Sequence, residues 1–231
     1  MNNLVSVIMS AYNAEESLGS SIESILNQSY KNLELLIMDD GSSDSTNQIC
    51  KRYEKEYASI RVYENLKNMG LTKSLNTLIS HANGNLIARQ DADDLSTTKR
   101  IEKQIQYLQG NNLDACTTRA LIIKNNKKIP RFSHYLPARF VIKKKNPFIH
   151  GTLLIKKSVI EKLGFYDERF LYAQDYKLFS DLFKAGFNIK TINECLYHLN
   201  TENNISSNYS QAQTYYAKCV QSNTSPNPQS I

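Results

Sequence analysis

Four short apolar runs, each leading into polar residues and each separated from the next by a longer stretch, occupy the first 110 residues. Val5–Met9, Leu33–Met38, Ile60–Tyr63 and Asn85–Arg89 read as strands, the second apolar enough to be covered on both faces. Leu18, Ile22, Ile25 and Leu26, then Leu71, Leu75, Leu78, Ile79 and Ala82, and finally Ile101, Ile105 and Leu108 recur at helical spacing. Asn13, with Glu16 three residues on, is placed to cap one helix, and Ser43 or Asp44 the next; Gly84 and Gly110 are placed to stop theirs. This alternation predicts an α/β fold in three layers around a mostly parallel sheet, with functional loops at the C-terminal strand ends.

After residue 110 the order loosens. Strands are expected near Leu113–Ile123 and Thr152–Ile155, and helices over Ser158–Leu163 and Asp175–Ala185, the latter burying Tyr176, Phe179, Leu182 and Phe183 before Gly186. At 231 residues the chain fits one large domain, divided into an α/β half (1–110), a less regular half (111–221) and a polar tail with two prolines (222–231) that is expected to be disordered.

Composition excludes several classes. With 41% hydrophobic and 22% charged residues the chain is an ordinary globular sequence, and no apolar run approaches the ~18 residues a membrane span needs. The N-terminus lacks the basic and long apolar regions of a secretory leader, so a cytoplasmic protein is expected. Four scattered cysteines, 50, 116, 195 and 219, suggest neither a zinc site nor a disulfide framework. The net charge is +6, and Lys124, Lys127, Lys128, Arg131, Arg139 and Lys143–Lys145 form a basic stretch. It reads either as a solvated face or as peripheral contact with an anionic membrane or phosphate-bearing partner, and both readings stay open. No aromatic-basic RNA signature accompanies it, so nucleic acid is not an expected partner.

The chemistry concentrates where strands end. Asp91, Asp93 and Asp94 are three carboxylates within four positions, and a divalent cation with oxygen ligands, Mg²⁺ or Mn²⁺, relieves their repulsion. If the segment is strand-like, Asp91 and Asp93 point the same way, one to the metal and the other to a ribose hydroxyl or the same ion. Arg89 either contacts phosphate or pairs with an aspartate. Asp39 and Asp40, and the loop Ser10–Asn13, fall on the same sheet edge and add acceptor carboxylates and an aromatic face for a base. A dinucleotide oxidoreductase is disfavoured because Ser10–Glu15 contains no glycine.

Four ordered stretches, Val5–Asn13, Asp39–Asp44, Asn68–Asn76 and Ala88–Asp94 with Arg100 and Gln104 behind it, resemble the family-2 glycosyltransferases of the GT-A fold. The resemblance covers about residues 4–206, most strongly to 110. It implies an inverting hexosyltransferase that moves a sugar from a nucleotide-diphosphate sugar, UDP foremost, to a hydroxyl of a glycan or lipid-linked acceptor, with Mn²⁺ or Mg²⁺. Tyr12, Asn13 and Asp40 are implied to hold the nucleoside, Asp91 the ribose or base, Asp93 the metal, and Lys73 and Arg89 to support the nucleotide.

The family's acidic pair some 80 residues onward is matched by Gln174-Asp175, which keeps only the aspartate; the resemblance makes Asp175 the general base, the alternative being a helix cap. His150 is a secondary candidate near the acceptor. Leu196–Leu199 and Asn203–Ser206 resemble a stretch where the family carries an arginine, absent here; either His198 substitutes for it or the closing loop makes weaker phosphate contacts. These two departures raise an alternative, a catalytically decayed nucleotide-sugar-binding protein, marked by nucleotide binding without sugar transfer.

Overall fold

In the computed structural model, described for residues 3–131, 135–201 and 209–227, strands and helices alternate through the first half as the spacing predicts. The order is β1 (Val5–Ala11), α1 (Leu18–Leu26), β2 (Leu33–Asp39), α2 (Thr46–Glu56), β3 (Ile60–Glu64), α3 (Leu71–His81), β4 (Leu86–Arg89), β5 (Leu95–Ser96) and α4 (Arg100–Gly110). The second half adds β6 (Ala115–Ile122), β7 (Lys128–Ile129), α5 (Ala138–Val141), a 3₁₀ turn (His150–Thr152), β8 (Leu154–Lys156), α6 (Lys157–Lys162), α7 (Gln174–Lys184), β9 (Ile189–Leu199) and α8 (Ser210–Ser222).

The strands form one sheet in the order β3-β2-β1-β4-β8-β6-β9-β5, with β7 paired to β6. Strands β1 to β4 pair in parallel, β8 is antiparallel to both β4 and β6, and β6 is parallel to β9. The C-terminal ends of β1, β2, β4, β6 and β9 therefore share one edge.

The period-2 alternation of buried strands supplies both faces of the core. Val5, Val7, Met9, Leu35 and Ile37 pack with Leu18, Ile22, Ile25 and Ile101 on one face; Ile8, Leu36 and Met38 pack with Leu75, Leu78, Phe179 and Leu182 on the other. Each such side chain contributes roughly 1.5–3 kcal/mol on burial, so Leu75→Ala, at a position with no exposure, is expected to cost about 2–5 kcal/mol.

Two local expectations need correction. Asn13 does not cap α1, which starts only at Leu18; Asn13 takes φ 47° and its Oδ1 accepts from the Ser43 backbone N–H at 2.9 Å. Gly84 does not stop α3, which ends at His81. Glycine is required there because a Cβ would stand 2.6 Å from the Leu4 carbonyl oxygen, where the chain crosses β1. After α8, Arg169 donates to Ser225 Oγ (2.9 Å) and the Asn227 N–H to Tyr215 Oη (2.9 Å). Residues 228–231, the end of the expected tail, and 203–206, the segment without the late arginine, lie outside the described residues.

Candidate active site

The loops after β1 and β2 are laced together. The Asn13 N–H donates to Ser42 Oγ (3.0 Å), the Ala14 N–H to Thr46 Oγ1 (2.8 Å), the Glu15 N–H to Asp44 Oδ2 (3.1 Å) and the Ser45 N–H to Glu15 Oε2 (2.8 Å). Tyr12 stands half exposed above this lattice, an aromatic face free for stacking. Asp39 accepts from the Ser42 N–H (3.1 Å) and Asn47 Nδ2 (2.9 Å).

Asp40 is buried and accepts three hydrogen bonds: Asn65 Nδ2 (2.7 Å) and the Met69 N–H (2.9 Å) on Oδ1, and the Gly70 N–H (2.9 Å) on Oδ2. It therefore fixes the 65–70 loop, a role the sequence did not reveal. Gly41, at φ 74°, lets that loop close, since a Cβ would meet the Lys67 backbone at 2.4 Å. Lys73 is exposed on the first turn of α3, just beyond.

Residues 91–94 are not strand-like. The Asp94 N–H turns back to the Asp91 carbonyl (3.3 Å), so a tight turn, rather than strand alternation, clusters the carboxylates. Asp91 Oδ1 pairs with Arg89 Nη2 at 2.6 Å. Asp94 is buried, accepts from the Asn200 N–H (2.6 Å), and is pushed well above the ordinary carboxylate range by desolvation and by Asp91 and Asp93. Asp93 is partly exposed, and desolvation together with Asp91 pushes it up to about 6. Among the described residues, no other side chain donates to its carboxylate.

Arg89 realises the ion-pair alternative: only 1% exposed, it pairs with Asp91 and donates to the Gln90 carbonyl. It orients Asp91 from beneath rather than reaching into the open cleft. Arg100, wholly buried, holds the Arg89 carbonyl (2.9 Å) and the Gly151 carbonyl (2.8 Å), and its guanidinium lies 5.3 Å from the centre of the Tyr197 ring. Tyr197 Oη in turn accepts from the Asp91 N–H at 3.0 Å. The adjacent His198 sits partly exposed on β9 opposite Leu95, and the sequence does not single out Tyr197. Its only signal was an apolar strand position, which does not distinguish a packed tyrosine from one that supports a site.

The second half closes the cleft from the other side. A Cβ at Gly151 would lie 2.5 Å from Asp91 Oδ2 and 2.4 Å from Tyr197 Oη, so the His150–Thr152 turn presses directly on the acidic turn. His150 Nε2 meets Tyr166 Oη at 2.8 Å, and desolvation, then the charge of Arg89, pushes the imidazole down to about 3. It is a neutral hydrogen-bonding group near pH 7. Asp175 is the second residue of α7, whose N-cap is Ala173, left-handed at φ 53°, so Asp175 is not the residue that caps the helix. Its carboxylate accepts from Asn146 Nδ2 (2.7 Å) and the Tyr176 N–H (2.7 Å), and is raised by burial and by the charge of Asp91. Asp91, His150 and Asp175 thus form one electrostatic neighbourhood.

Among the described residues no group of three or more His, Cys, Asp or Glu side chains is placed to cage an ion. The donor set instead suits a hard cation held by one or two carboxylates and completed by ligand phosphates, the usual arrangement for Mg²⁺. Asp93, with its raised affinity for a proton, is the available ligand.

The fold is that of the GT-A glycosyltransferases. The model of glycosyl transferase family 2 matches residues 6–166, and the chain belongs to that family. The match ends before Asp175. The chain is 38% identical over 198 residues to the putative glycosyltransferase EpsE of Bacillus subtilis, covering 84% of this chain and 71% of the relative. It is 33% identical over 211 residues to WfgD of Escherichia coli, named as a UDP-Glc:α-D-GlcNAc-diphosphoundecaprenol β-1,3-glucosyltransferase, covering 89% and 80%. S. aureus TarS, solved with UDP-GlcNAc, superposes with a TM-score of 0.75 at 18% identity, over 89% of this chain and 60% of that one. The mannosyltransferase PcManGT of Pyrobaculum calidifontis, solved with GDP-Man and Mn²⁺, gives 0.77 at 18%, over 97% and 66%.

Proposed function

We propose that this glycosyltransferase moves a sugar from a nucleotide-diphosphate donor, UDP-linked foremost, to a hydroxyl of a glycan or lipid-linked saccharide, with inversion at the anomeric carbon. The observation that carries this reading is the meeting of the exposed Tyr12 and the under-satisfied carboxylate of Asp93, at the ends of β1 and β4, with the partly exposed Asp175 of α7, which feels the charge of Asp91. The names of WfgD, TarS and PcManGT, which cite UDP-Glc, UDP-GlcNAc and GDP-Man, support a nucleotide-sugar donor, and the Mn²⁺ with PcManGT supports a metal.

Tyr12 stacks on the base, beside the loop that Asn13 ties down. Asp40 already uses three of its roughly four acceptor positions, and the one left on Oδ2 takes a base N–H. Asp91, oriented by Arg89 and by Tyr197, takes a ribose hydroxyl, and Lys73 faces the phosphates. Asp93 holds Mn²⁺ or Mg²⁺, which when bound neutralises charge on the leaving diphosphate. Asp175 accepts the proton of the acceptor hydroxyl as it attacks, and its raised proton affinity brings it nearer the working pH, where a general base is most effective. The neutral His150, held by Tyr166, orients the acceptor hydroxyl without competing for that proton. His198 is a further donor toward the diphosphate.

A panel of nucleotide sugars, each tested by thermal shift with and without Mn²⁺ and then by transfer to saccharide acceptors, tests this reading. A ligand at ~100 times its dissociation constant adds about 2.7 kcal/mol of stability. Stabilisation by a nucleotide sugar that requires Mn²⁺, followed by transfer, is expected. Stabilisation with no transfer to any acceptor favours the decayed binding protein, and no stabilisation by any member contradicts both.

A further inference from the structure

Between Asp114 and Glu161 the sequence holds no Asp or Glu and eleven Lys or Arg, while the rest of the chain carries all 22 acidic residues. The fold gathers part of this excess into a groove of about 450 Å³ at the β6–β7 hairpin, lined by Arg119, Lys127, Lys128, Arg131 and Tyr135. Four cations and no carboxylate line it among the described residues. Among the described residues, Lys127, Lys128 and Arg131 form no ion pair.

Arg119 is the telling residue. It lies on β6 opposite Cys195, where extra residues in β9 shift the register on both sides and break the regular pairing around it. It is nine-tenths buried, donates from Nη1 to Asn193 Oδ1 at 3.1 Å, and leaves Nε buried with no partner. A buried guanidinium N–H without an acceptor is an uncompensated cost that an incoming oxyanion removes, and the planar fork suits phosphate.

The chain leaving the groove adds a second kind of surface. Tyr135, Leu136 and Phe140 are 71%, 51% and 56% exposed. Val141 and Ile142 anchor the segment from below, Arg139 stacks on the Phe140 ring at 4.8 Å, and Lys143, Lys144 and Lys145 follow, all exposed. A dissolved anion needs no exposed leucine and phenylalanine beside its site; a bilayer surface uses both apolar side chains and cations.

We infer that the β6–β7 groove and residues 135–145 form a membrane-docking surface, in which Arg119, Lys127 and Lys128 take the phosphate of a lipid headgroup while Leu136 and Phe140 enter the interface. Because β6 ends on the same sheet edge as the acidic turn, docking presents the cleft to acceptors carried on lipid. The inference deepens the transferase reading toward a lipid-borne acceptor and rests on it in that respect, but its test reads binding alone.

Co-sedimentation with phosphatidylcholine vesicles, with and without phosphatidylglycerol, compares the parent with Lys127→Ser/Lys128→Ser and with Leu136→Ser/Phe140→Ser, all at exposed positions. The parent is expected to bind only the anionic vesicles. Each cation near such a surface strengthens binding about fivefold, so the double lysine variant should bind about 25-fold more weakly. The Leu136/Phe140 variant should also bind more weakly, and both should keep the parent's thermal transition and UDP affinity. Equal vesicle binding by the parent and the lysine variant overturns the inference, as does a parent that takes up inorganic pyrophosphate or single-stranded RNA through these lysines but ignores vesicles. A parent that binds UDP but no vesicles overturns docking alone; one that binds vesicles but no nucleotide overturns the transferase reading alone.

Discussion

The two acidic turns at the C-terminal ends of β2 and β4 look alike in sequence and differ in how their charges are met. Asp39 and Asp40 receive five hydrogen bonds between them, from Ser42, Asn47, Asn65, Met69 and Gly70. At the second turn Asp91 has Arg89 and Asp94 has Asn200, while at Asp93 desolvation and the charge of Asp91 outweigh its own backbone N–H and the charge of Arg89, leaving a raised proton affinity. Carboxylates provisioned with donors hold loops in place, whereas one left short of donors among like charges is ready for a cation. Asp175 stands between the two kinds: it accepts from Asn146 and the Tyr176 N–H, yet desolvation and the charge of Asp91 still raise its proton affinity.

The largest effect should come from Asp175→Asn, which keeps the size of the aspartate but cannot take a proton. Turnover is expected to fall about 10²–10⁴-fold with donor affinity nearly unchanged. A rate within about threefold of the parent would reduce Asp175 to a first-turn residue that holds Asn146 and the Tyr176 N–H, and move the search to His150. Next comes Gly151→Ala, which drives a methyl group against Asp91 Oδ2 and Tyr197 Oη. Displacement of the acidic turn by even ~1 Å should cost about 10²-fold in transfer rate, and an alanine variant of undiminished rate would show that the second turn yields without consequence.

Asp40→Asn reads the other side of the comparison. An amide oxygen cannot serve all three donors, so a loop N–H is orphaned and the protein should lose about 1–3 kcal/mol of stability in denaturant titration. No loss would erase the distinction between the turns. The smallest effect concerns Glu34 at the start of β2. Its desolvation is outweighed by hydrogen bonds from Ser6, Asn83 and Arg61, so its pKa is lowered on folding. A lowered folded pKa means that the stability contribution is present above the unfolded value, about 4.5, and disappears as the pH falls through the folded one. Glu34→Gln should therefore flatten the loss of thermal stability below about pH 4.5, and an unchanged acid limb would contradict this.

Most of the first half was legible because periodicity and strand-end chemistry are local. Leu33–Met38 and the helix carrying Leu71, Leu75 and Leu78 are found where their spacing puts them. The misreadings arose where a distant segment decided the outcome. Asn13 looked like a cap until Ser42 and Ser43 came within reach, and Gly84 looked like a helix stop because its contact with β1 is 80 residues away in sequence. At the site, the cluster of aspartates was visible as composition, but the support Asp91 receives from Tyr197 comes from β9, more than 100 residues later. Arg119 carried no signal at all, since the irregularity beside it comes from extra residues in β9, about 75 positions away.

The claim on which the account turns is that Asp93 is the metal ligand. Calorimetric titration of UDP into the parent and into the Asp93→Asn protein, with and without Mn²⁺, tests it without needing the acceptor. In the parent, Mn²⁺ should tighten UDP binding by about tenfold or more, the scale on which metal-site substitutions act. In the Asp93→Asn protein the two titrations should coincide, with a thermal transition no lower than the parent's, because one repelling charge has been removed. If Mn²⁺ tightens UDP binding to Asp93→Asn as much as to the parent, the metal is held elsewhere and the contrast between the two turns does not explain the site.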